Sequence, residues 1–321
     1  MRILFMGTPD FAVASLSALL TAGHDVCGVF TQPDKPKNRG MKLQASPVKE
    51  FALAHNIPVF QPVKMRDGEA MGYIRDLDPA LIVVAAYGRI LPDDILNYPP
   101  HGCINVHSSL LPRYRGAAPI NWAIINGERQ TGVTTFFLDH DIDTGRIIMQ
   151  EPFEIKDDYD VEDVYDGLMK LGADVALKTV DKIIEGDGHV DSLPQERLIP
   201  TDGRLHAAPK IFKDTCRIRL DGTACRVRNF VRGLSPYPGT WLEMKSHDGK
   251  ASVLKVFKTT LTGIPCNGKE PGTIMVYDGR LLTATADCWL QLDEIQLSGK
   301  KRMAAKDFLN GIRNIEDYKL F

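Results

Sequence analysis

The sequence predicts an α/β protein in two parts: a doubly wound, mainly parallel, Rossmann-like sheet and then a small OB-like β-barrel. In the first half, apolar runs alternate with helical stretches, which is typical of parallel strands joined by right-handed crossovers. In the second half, short runs rich in β-forming residues are separated by Asp-Gly turns, which is typical of antiparallel hairpins. The chain has 321 residues, enough for two domains.

The first half begins with RILFM, a continuous apolar run of the kind that forms a strand buried on both faces. The helix GTPDFAVASLSALLTAG follows, with Thr8 as the expected N-cap, Pro9 as the first helical residue and Gly23 at the end. DVCGVFT is the next strand, SPVKEFALAHN the next helix, and LIVVAAY and CINVH are two further strands. The strands VTTFF and IIMQEPFEI flank an acidic loop, and a long helix over 160–186 closes this part.

The second half predicts a barrel with one helix. The expected strands are TCRIRL, TWLEMK, ASVLKVFK, GTIMVY and LLTATA, and the expected helix is GTACRVRNFVRGL. A stretch rich in Gly, Pro and polar residues separates the halves. We therefore expect a catalytic domain over 1–188, a linker over 189–205 and a basic C-terminal domain over 206–321.

The charge is unevenly distributed. Residues 206–321 hold 19 Lys and Arg against 12 Asp and Glu, whereas residues 1–205 hold 20 against 29. The basic part either contacts a polyanion or is basic for solubility alone. The longest apolar run, LIVVAAY, is far too short to span a membrane, and no secretory signal is recognisable. The six cysteines form no C-x-x-C pair, so we expect reduced cysteines in a cytoplasmic protein.

The end of the strand CINVH is the first candidate site. In a doubly wound sheet, ligands bind beyond the carboxyl ends of the strands. Asn105 and His107 are two residues apart on this strand, so their side chains point to the same face. An amide can donate to a developing oxyanion and an imidazole can move a proton near neutral pH. With a carboxylate, the pair would suit attack of an amine on a carbonyl without a metal.

The loop LDHDIDTG offers the carboxylate. Its acids Asp139, Asp141 and Asp143 resemble a calcium loop, but the sixth and twelfth positions are Thr144 and Gln150 instead of Gly and Glu. Calcium is therefore excluded, whereas counting leaves a looser magnesium or zinc site open. The remaining alternatives are a solvated acidic loop and a carboxylate that orients the neighbouring histidine.

A basic loop, TQPDKPKNRGMKLQASP, follows the second strand and overhangs the same crevice. It carries Lys35, Lys37, Arg39 and Lys42 in a half that is otherwise acidic. The loop is either solvated and flexible or in contact with phosphates. The first turn, after Gly7, contains neither a dinucleotide fingerprint nor a P-loop.

Taken together, several motifs resemble one family. FMGTPDFA, VFTQPDKPKNRGMKLQASPVK, AYGRILP, INVHSSLLPRYRGAAPINWAI, DIDTG and GLSPYPGTWLE are similar to segments of the 10-formyltetrahydrofolate-dependent formyltransferases. The similarity runs through the whole chain. The basic loop and basic second part resemble the members of this family that act on tRNA.

The resemblance implies a function and assigns residues to it. It implies transfer of the formyl group of 10-formyltetrahydrofolate to the α-amine of methionyl-initiator tRNA, by a monomer and without a metal. The implied catalytic residues are Asn105, His107 and Asp143. The implied folate-binding residues are Ser109, Leu110, Leu111 and Pro112 of SLLP and the main chain of Arg89, Ile90 and Leu91. The implied tRNA-binding residues are Lys35, Lys37, Arg39 and Lys42. Arg113 and Arg115 either shape the methionyl end of the substrate or anchor their own loop.

Two rival functions remain. A formyltransferase or formyl-folate hydrolase for a small molecule, such as a sugar nucleotide, would use the same three catalytic residues without tRNA. A non-enzymatic RNA-binding protein on a degenerate transferase scaffold would be expected to lack them. Asn105, His107 and Asp143 are all present.

Overall fold

A computed structural model describes residues 1–37, 42–201 and 203–321, which form two compact units. Unit 1 comprises Met1–Gly116, Thr131–Glu154 and Tyr165–Ala207, and unit 2 comprises Ala117–Gln130, Ile155–Val164 and Ala208–Phe321. Unit 2 thus includes two segments of the first half of the chain. Unit 1 includes the segment that we expected to be a linker.

The elements are numbered in chain order. The strands are β1 Arg2–Gly7, β2 Asp25–Phe30, β3 Lys35–Lys37, β4 Lys42–Gln44, β5 Val59–Phe60, β6 Leu81–Ala85, β7 Cys103–His107, β8 Gln130–Phe137, β9 Ile147–Glu154, β10 Thr240–Lys245, β11 Ala251–Pro265, β12 Ile274–Tyr277, β13 Arg280–Ala284, β14 Cys288–Leu297, β15 Met303–Ala304 and β16 Lys319–Leu320. The α-helices are α1 Asp10–Thr21, α2 Pro47–Ala54, α3 Glu69–Leu77, α4 Asp93–Leu96, α5 Pro119–Ile125, α6 Val161–Glu185, α7 Ala224–Arg232 and α8 Ala305–Asn310. Short 3₁₀ helices span Gln195–Leu198, Lys213–Cys216 and Ile315–Asp317.

The sheet of unit 1 has the order β5-β2-β1-β6-β7-β8-β9. Strands β5, β2, β1, β6 and β7 are mutually parallel, and β8 is antiparallel to β7. All five residues of β6 are buried, as are five of the six in β1, because helices cover both faces of such a sheet. The predicted doubly wound, mainly parallel sheet is confirmed.

Helix α1 begins one residue later than predicted. Pro9 is the N-cap, in an extended conformation, and Asp10 is the first helical residue. The Thr8 hydroxyl does not cap the helix because it donates to the Tyr87 carbonyl oxygen at 3.1 Å. The cap predicted for the next helix is present, since Ser46 accepts from the backbone of Lys49 at 3.1 Å.

Unit 2 contains an antiparallel sheet of order β12-β13-β14-β11-β10-β16, with β15 pairing β14. Its inner residues and α7 enclose a separate apolar core that includes Val227, Leu242, Leu254 and Leu290. This sheet agrees with the predicted OB-like domain. The prediction of a strand at TCRIRL is wrong: a 3₁₀ turn occupies Lys213–Cys216, held by the Thr215 hydroxyl, which donates to the Phe212 carbonyl oxygen at 2.7 Å.

Two further observations concern the chain as described. None of the described helices is long and apolar enough to cross a bilayer. All six cysteines are free, and Cys103, Cys216 and Cys266 are buried. Burial raises the pKa of the Cys103 thiol to about 12, so this thiol stays protonated at neutral pH.

Candidate active site

The site is built on β7, where Asn105 and His107 lie on one face. Asn105 pairs in register with Val84 on one side and Phe136 on the other, so β7 is held between two strands. His107 is only 6% exposed, and Asn105 is half-buried. No hydrogen bond from the described part of the chain occupies the Asn105 amide, which leaves it available to a ligand.

A backbone carbonyl fixes the imidazole of His107. Its Nε2 lies 3.0 Å from the carbonyl oxygen of Tyr114. A carbonyl oxygen only accepts, so Nε2 carries a proton and donates it. Tyr114 is itself in the left-handed region (φ 61°), and its N–H donates to Leu205 and His206 carbonyl oxygens at 3.0 and 2.7 Å. Nδ1 is therefore the ring nitrogen left free to gain or lose a proton.

Asp143 faces that nitrogen. Its Oδ2 lies 3.8 Å from His107 Nδ1, and both side chains are nearly buried (12% and 7% exposed). The Gly116 N–H donates to the same oxygen at 2.9 Å. The gap exceeds a direct hydrogen bond, so both atoms can contact a third atom placed beside them. His107 and Asp143, which are far apart in the sequence, thus lie beside each other.

The loop carrying Asp143 depends on the glycine of DTG. Asp143 has φ 55°, a left-handed conformation that costs energy for any residue with a Cβ. A Cβ on Gly145 would lie 1.7 Å from the Phe137 carbonyl oxygen, so only glycine fits there. The loop is therefore pressed against the end of β8 while Asp143 turns toward His107.

The segment SLLP is held by β8 and β9. Ser109 is fully buried and its hydroxyl donates to the Arg113 carbonyl oxygen at 2.7 Å. The Thr134 hydroxyl donates to the Ser109 carbonyl oxygen at 2.6 Å and accepts from the Leu111 N–H at 3.1 Å. Gln150 donates to the Leu111 carbonyl oxygen at 2.8 Å. Leu110 is half-buried, whereas Leu111 and Pro112 are buried.

The turn after β6 presents free main-chain groups. No backbone hydrogen bond within the described part of the chain involves Arg89, Ile90 or Leu91. The Arg89 guanidinium donates to the Val63 carbonyl oxygen, and the Ile90 side chain is 63% exposed. Exposed peptide groups beside apolar side chains can bind a flat heterocycle with amide-like edges, such as a pterin.

The described residues of the basic loop include two short paired strands, here called the hairpin. Strands β3 and β4 pair antiparallel, with Lys35 opposite Gln44. Lys35 is exposed, β3 ends at Lys37 and β4 begins at Lys42, and the side chains of Lys37 and Lys42 lie outside the described part of the chain. Arg39 lies outside the described residues. None of the hairpin's described contacts joins it to His107 or Asp143.

A polar network holds the base of this hairpin. The Lys49 ammonium donates to Asp34 Oδ2 at 2.7 Å and to Gln61 Oε1 at 2.8 Å. The Gln61 amide in turn donates to Asp34 Oδ1 at 2.8 Å. The hydrogen bonds from Lys49 and then Gln61 lower the pKa of Asp34, so this carboxylate stays ionised to a lower pH than a free aspartate does.

Sequence reasoning missed four groups of the site: the Tyr114 carbonyl, the Gly116 N–H, Gln150 and Gln195. Gln195 is 1% exposed and donates to the carbonyl oxygens of Asp143 and Gly145. Backbone groups carry no sequence signal, and a glutamine about fifty residues from its partners has no periodicity to reveal it. Arg115 anchors its loop through Gln195, which supports one of the two roles we left open for it.

The other acids of the loop make local contacts. Asp139 accepts from the Thr144 hydroxyl at 2.6 Å, and His140 Nδ1 lies 3.0 Å from Asp93 Oδ1. Asp93 and then Asp141 raise the pKa of His140. Among the described residues, no three His, Cys, Asp or Glu side chains cluster in a way that could hold a metal ion.

A separate cleft of about 670 Å³ lies in unit 2 and contains none of the predicted catalytic or folate-binding residues. Its lining includes Arg217, Arg219 and Lys319 together with Asp221 and Glu270. Mixed charge of this kind does not by itself identify a ligand.

Comparisons with known proteins agree with the geometry. The family model for formyl transferase matches residues 1–180, and that for the formyl transferase C-terminal domain matches residues 210–313. The methionyl-tRNA formyltransferase of Parabacteroides distasonis is 47% identical over 319 residues, which cover 99% of this chain and 98% of the relative. That of Bacteroides fragilis is also 47% identical, over 323 residues covering 100% and 98%.

The fold is shared with a solved structure of lower identity. An N-formyltransferase from Helicobacter canadensis, crystallised with folinic acid and dTDP-3-aminofucose, superposes with a TM-score of 0.65 at 18% identity. The alignment covers 91% of this chain and 98% of that chain.

Proposed function

The chain belongs to the formyl transferase family, and on that premise we propose that it formylates the α-amine of methionyl-initiator tRNA with 10-formyltetrahydrofolate. The observation that carries the proposal is His107 Nδ1 facing Asp143 Oδ2 at 3.8 Å, beside Asn105 on the same strand. Relatives with the matching name align over nearly their whole length, which supports the tRNA-linked substrate. We further propose that the protein acts as a monomer in the cytoplasm.

The reaction needs two proton movements. The methionyl amine attacks the formyl carbon and becomes positively charged, while the formyl oxygen becomes negative. Asn105 and the imidazolium of His107 donate to that oxygen. Asp143 takes a proton from the new nitrogen, and His107 gives its Nδ1 proton to the leaving folate nitrogen as the old C–N bond breaks. Transfer of a proton from Asp143 to Nδ1 restores the starting state.

Because the tautomer of His107 is fixed, the pair formed by His107 and Asp143 can both accept a proton and donate one. Nε2 remains bonded to the Tyr114 carbonyl, so only Nδ1 takes part in proton transfer. The carboxylate opposite Nδ1 stabilises the imidazolium before transfer. One side chain therefore stabilises charge and then acts as an acid, without rotation of the ring.

The folate lies between the turn after β6 and the segment SLLP. The free main-chain groups of Arg89, Ile90 and Leu91 bind the polar edge of the pterin. Ser109, Leu110, Leu111 and Pro112 form the opposite wall, because β8 and β9 hold their backbone in place. This arrangement suits a ring that is apolar on its faces and polar at its edge.

The RNA is held by charge. Lys35, Lys37, Arg39 and Lys42 of the basic loop contact phosphates of the acceptor arm, and basic residues of 206–321 contact phosphates elsewhere. In unit 2, Arg217 lies over the Trp241 ring at 5.6 Å, and Phe321 is 43% exposed, a combination of basic and aromatic groups typical of nucleic-acid surfaces. Binding should therefore weaken steeply with salt.

A transfer assay with labelled formyl donor tests the substrate. Initiator methionyl-tRNA, elongator methionyl-tRNA, free methionine and an amino-sugar nucleotide are offered in parallel. We expect label in the initiator tRNA, with far less in the other three. Efficient labelling of the sugar nucleotide and none of the tRNA would instead establish the small-molecule function.

A further inference from the structure

Gln195 is buried, and both ends of its side-chain amide are hydrogen-bonded close to Asp143. Its Nε2 donates to the carbonyl oxygens of Asp143 at 2.9 Å and Gly145 at 2.8 Å. Its Oε1 accepts from Arg115 Nε at 3.0 Å and from an Nη atom of the same guanidinium at 2.6 Å. We propose, on the basis of the proposed function, that Gln195 is a positioning residue that sets the place of the Asp143 carboxylate for formyl transfer.

The two hydrogen bonds donated by Gln195 Nε2 lie on either side of the strained part of the loop. Asp143 sits at φ 55°, and such conformations persist only where the surroundings determine them. One hydrogen bond is accepted by the carbonyl oxygen of Asp143 and the other by that of Gly145, a position with no room for a side chain. Gln195 therefore fixes the turn from its inner side, in a place closed to water.

The bonds to Oε1 extend this hold to the second contact of Asp143. Arg115 precedes Gly116, whose N–H donates to Asp143 Oδ2 at 2.9 Å. Gln195 thus ties the backbone of Asp143 to the chain segment that binds the Asp143 carboxylate. Because one side chain holds both, loss of Gln195 frees the carboxylate to move relative to His107 Nδ1.

The segment that bears Gln195 is itself fixed to the sheet of unit 1. Leu193 forms a pair of backbone hydrogen bonds with Ile147, at 2.7 and 2.9 Å, just before the 3₁₀ helix Gln195–Leu198 begins. Gln195 is thus presented from a rigid base. This segment falls in the range that we expected to be a linker, and it belongs to unit 1 together with Asp143.

Two substitutions test the role of Gln195. Gln195→Met keeps the length of the side chain and removes all four hydrogen bonds. Gln195→Glu keeps an acceptor for Arg115 but cannot donate to the two carbonyl oxygens. Each is assayed alone and combined with Asp143→Asn, with kcat and KM for both substrates and the melting temperature. Thr179→Val, which loses a buried hydroxyl bonded to Thr135 at 2.7 Å, is the matched control.

A positioning role predicts a loss in kcat. Both Gln195 variants should lower kcat about 10- to 100-fold, with each KM within about threefold, because small misplacements of a reacting group have effects of this size. In the Asp143→Asn background either change should cost less than about twofold more, since residues acting through one another are not additive. Thr179→Val should lower the melting temperature and leave kcat unchanged.

Other outcomes would overturn the proposal. If the Gln195 variants lower only the melting temperature, or if their losses multiply with that of Asp143→Asn, Gln195 is structural. If Gln195→Met fails to fold, Gln195→Glu alone decides, since it keeps the Arg115 contact. If the wild-type chain transfers no formyl group to methionyl-tRNA, the proposed function is wrong and this proposal is overturned with it.

Discussion

Replacing Asp143 by Asn removes one negative charge and almost nothing else. In the wild-type chain the Gly116 N–H donates to Asp143 Oδ2 at 2.9 Å. The amide oxygen of the asparagine can still accept this hydrogen bond, so the loop should keep its place. What is lost is the charge 3.8 Å from His107 Nδ1 and, in the proposed mechanism, the acceptor for the amine proton. The substitution therefore isolates the electrostatic and proton-accepting roles of the carboxylate.

The size of the effect follows from that distance. Two unit charges 3.8 Å apart attract by about 4 kcal/mol at an effective dielectric constant of about 20. At about 1.4 kcal/mol per tenfold change in rate, this corresponds to roughly 10³-fold. Both side chains are slightly exposed (12% and 7%), and solvent screening lowers the figure, so we expect kcat to fall about 10²- to 10³-fold.

The assay is steady-state transfer of labelled formyl to initiator methionyl-tRNA, with each substrate varied in turn. Asp141→Asn, an exposed acid in the same loop, is the control and should remain within about twofold of wild type. A kcat for Asp143→Asn above about a tenth of the wild-type value, at a normal melting temperature, would contradict a proton-accepting role for this carboxylate. An equally slow Asp141→Asn would contradict it too.

Four further outcomes are expected. Asn105→Ala should lower kcat about 10²- to 10³-fold with little change in folate KM, because it removes a donor to the developing oxyanion; a normal kcat in the same assay would contradict this. Gly145→Ala should destabilise the protein by about 3 kcal/mol in urea unfolding, because the added Cβ would lie 1.7 Å from a backbone oxygen; unchanged stability would show that the loop relaxes freely. Lys49→Met and Arg39→Ala should each raise the KM for methionyl-tRNA and leave the KM for folate unaltered. A parallel rise in both KM values would show that the basic loop has a structural role instead of an RNA-binding one. The pKa of Asp34 is lowered in the folded chain, so its ion pair with Lys49 contributes stability above about pH 4. This stability is lost as the pH falls further. In Lys49→Met, the free energy of unfolding should therefore depend less on pH in that acid range.

Much of the fold could be predicted because local patterns and tertiary packing agree. Buried strands such as LIVVAAY read as apolar runs, and helix α2 carries the Ser46 cap that its sequence predicts. TCRIRL failed for a physical reason. Its alternation resembles a strand, but the Thr215 hydroxyl bonds locally to Phe212 and favours a turn. Strand β14 was missed, although it pairs with both β11 and β13 at the centre of its sheet.

The candidate site, like the fold, could be predicted from the sequence only in part. Asn105 and His107 could be recognised from period-2 spacing at a strand end, and Asp143 followed from the resemblance. The sequence could not predict which nitrogen of His107, Nε2 or Nδ1, takes part in proton transfer. The Tyr114 carbonyl decides this, and its position depends on the left-handed backbone conformation of Tyr114. Gln195 was beyond reach for a similar reason, since its partners are backbone oxygens that any residue could supply.

The central claim is that His107 moves a proton through Nδ1 during formyl transfer. The most direct measurement is the single-turnover rate of transfer to initiator methionyl-tRNA by His107→Asn and His107→Gln, with both substrates saturating. The amide of Asn falls near Nδ1 and that of Gln near Nε2, yet neither group titrates, so we predict that both variants slow transfer by at least about 10²-fold. A folded variant of either kind that transfers the formyl group within tenfold of the wild-type rate would contradict the account.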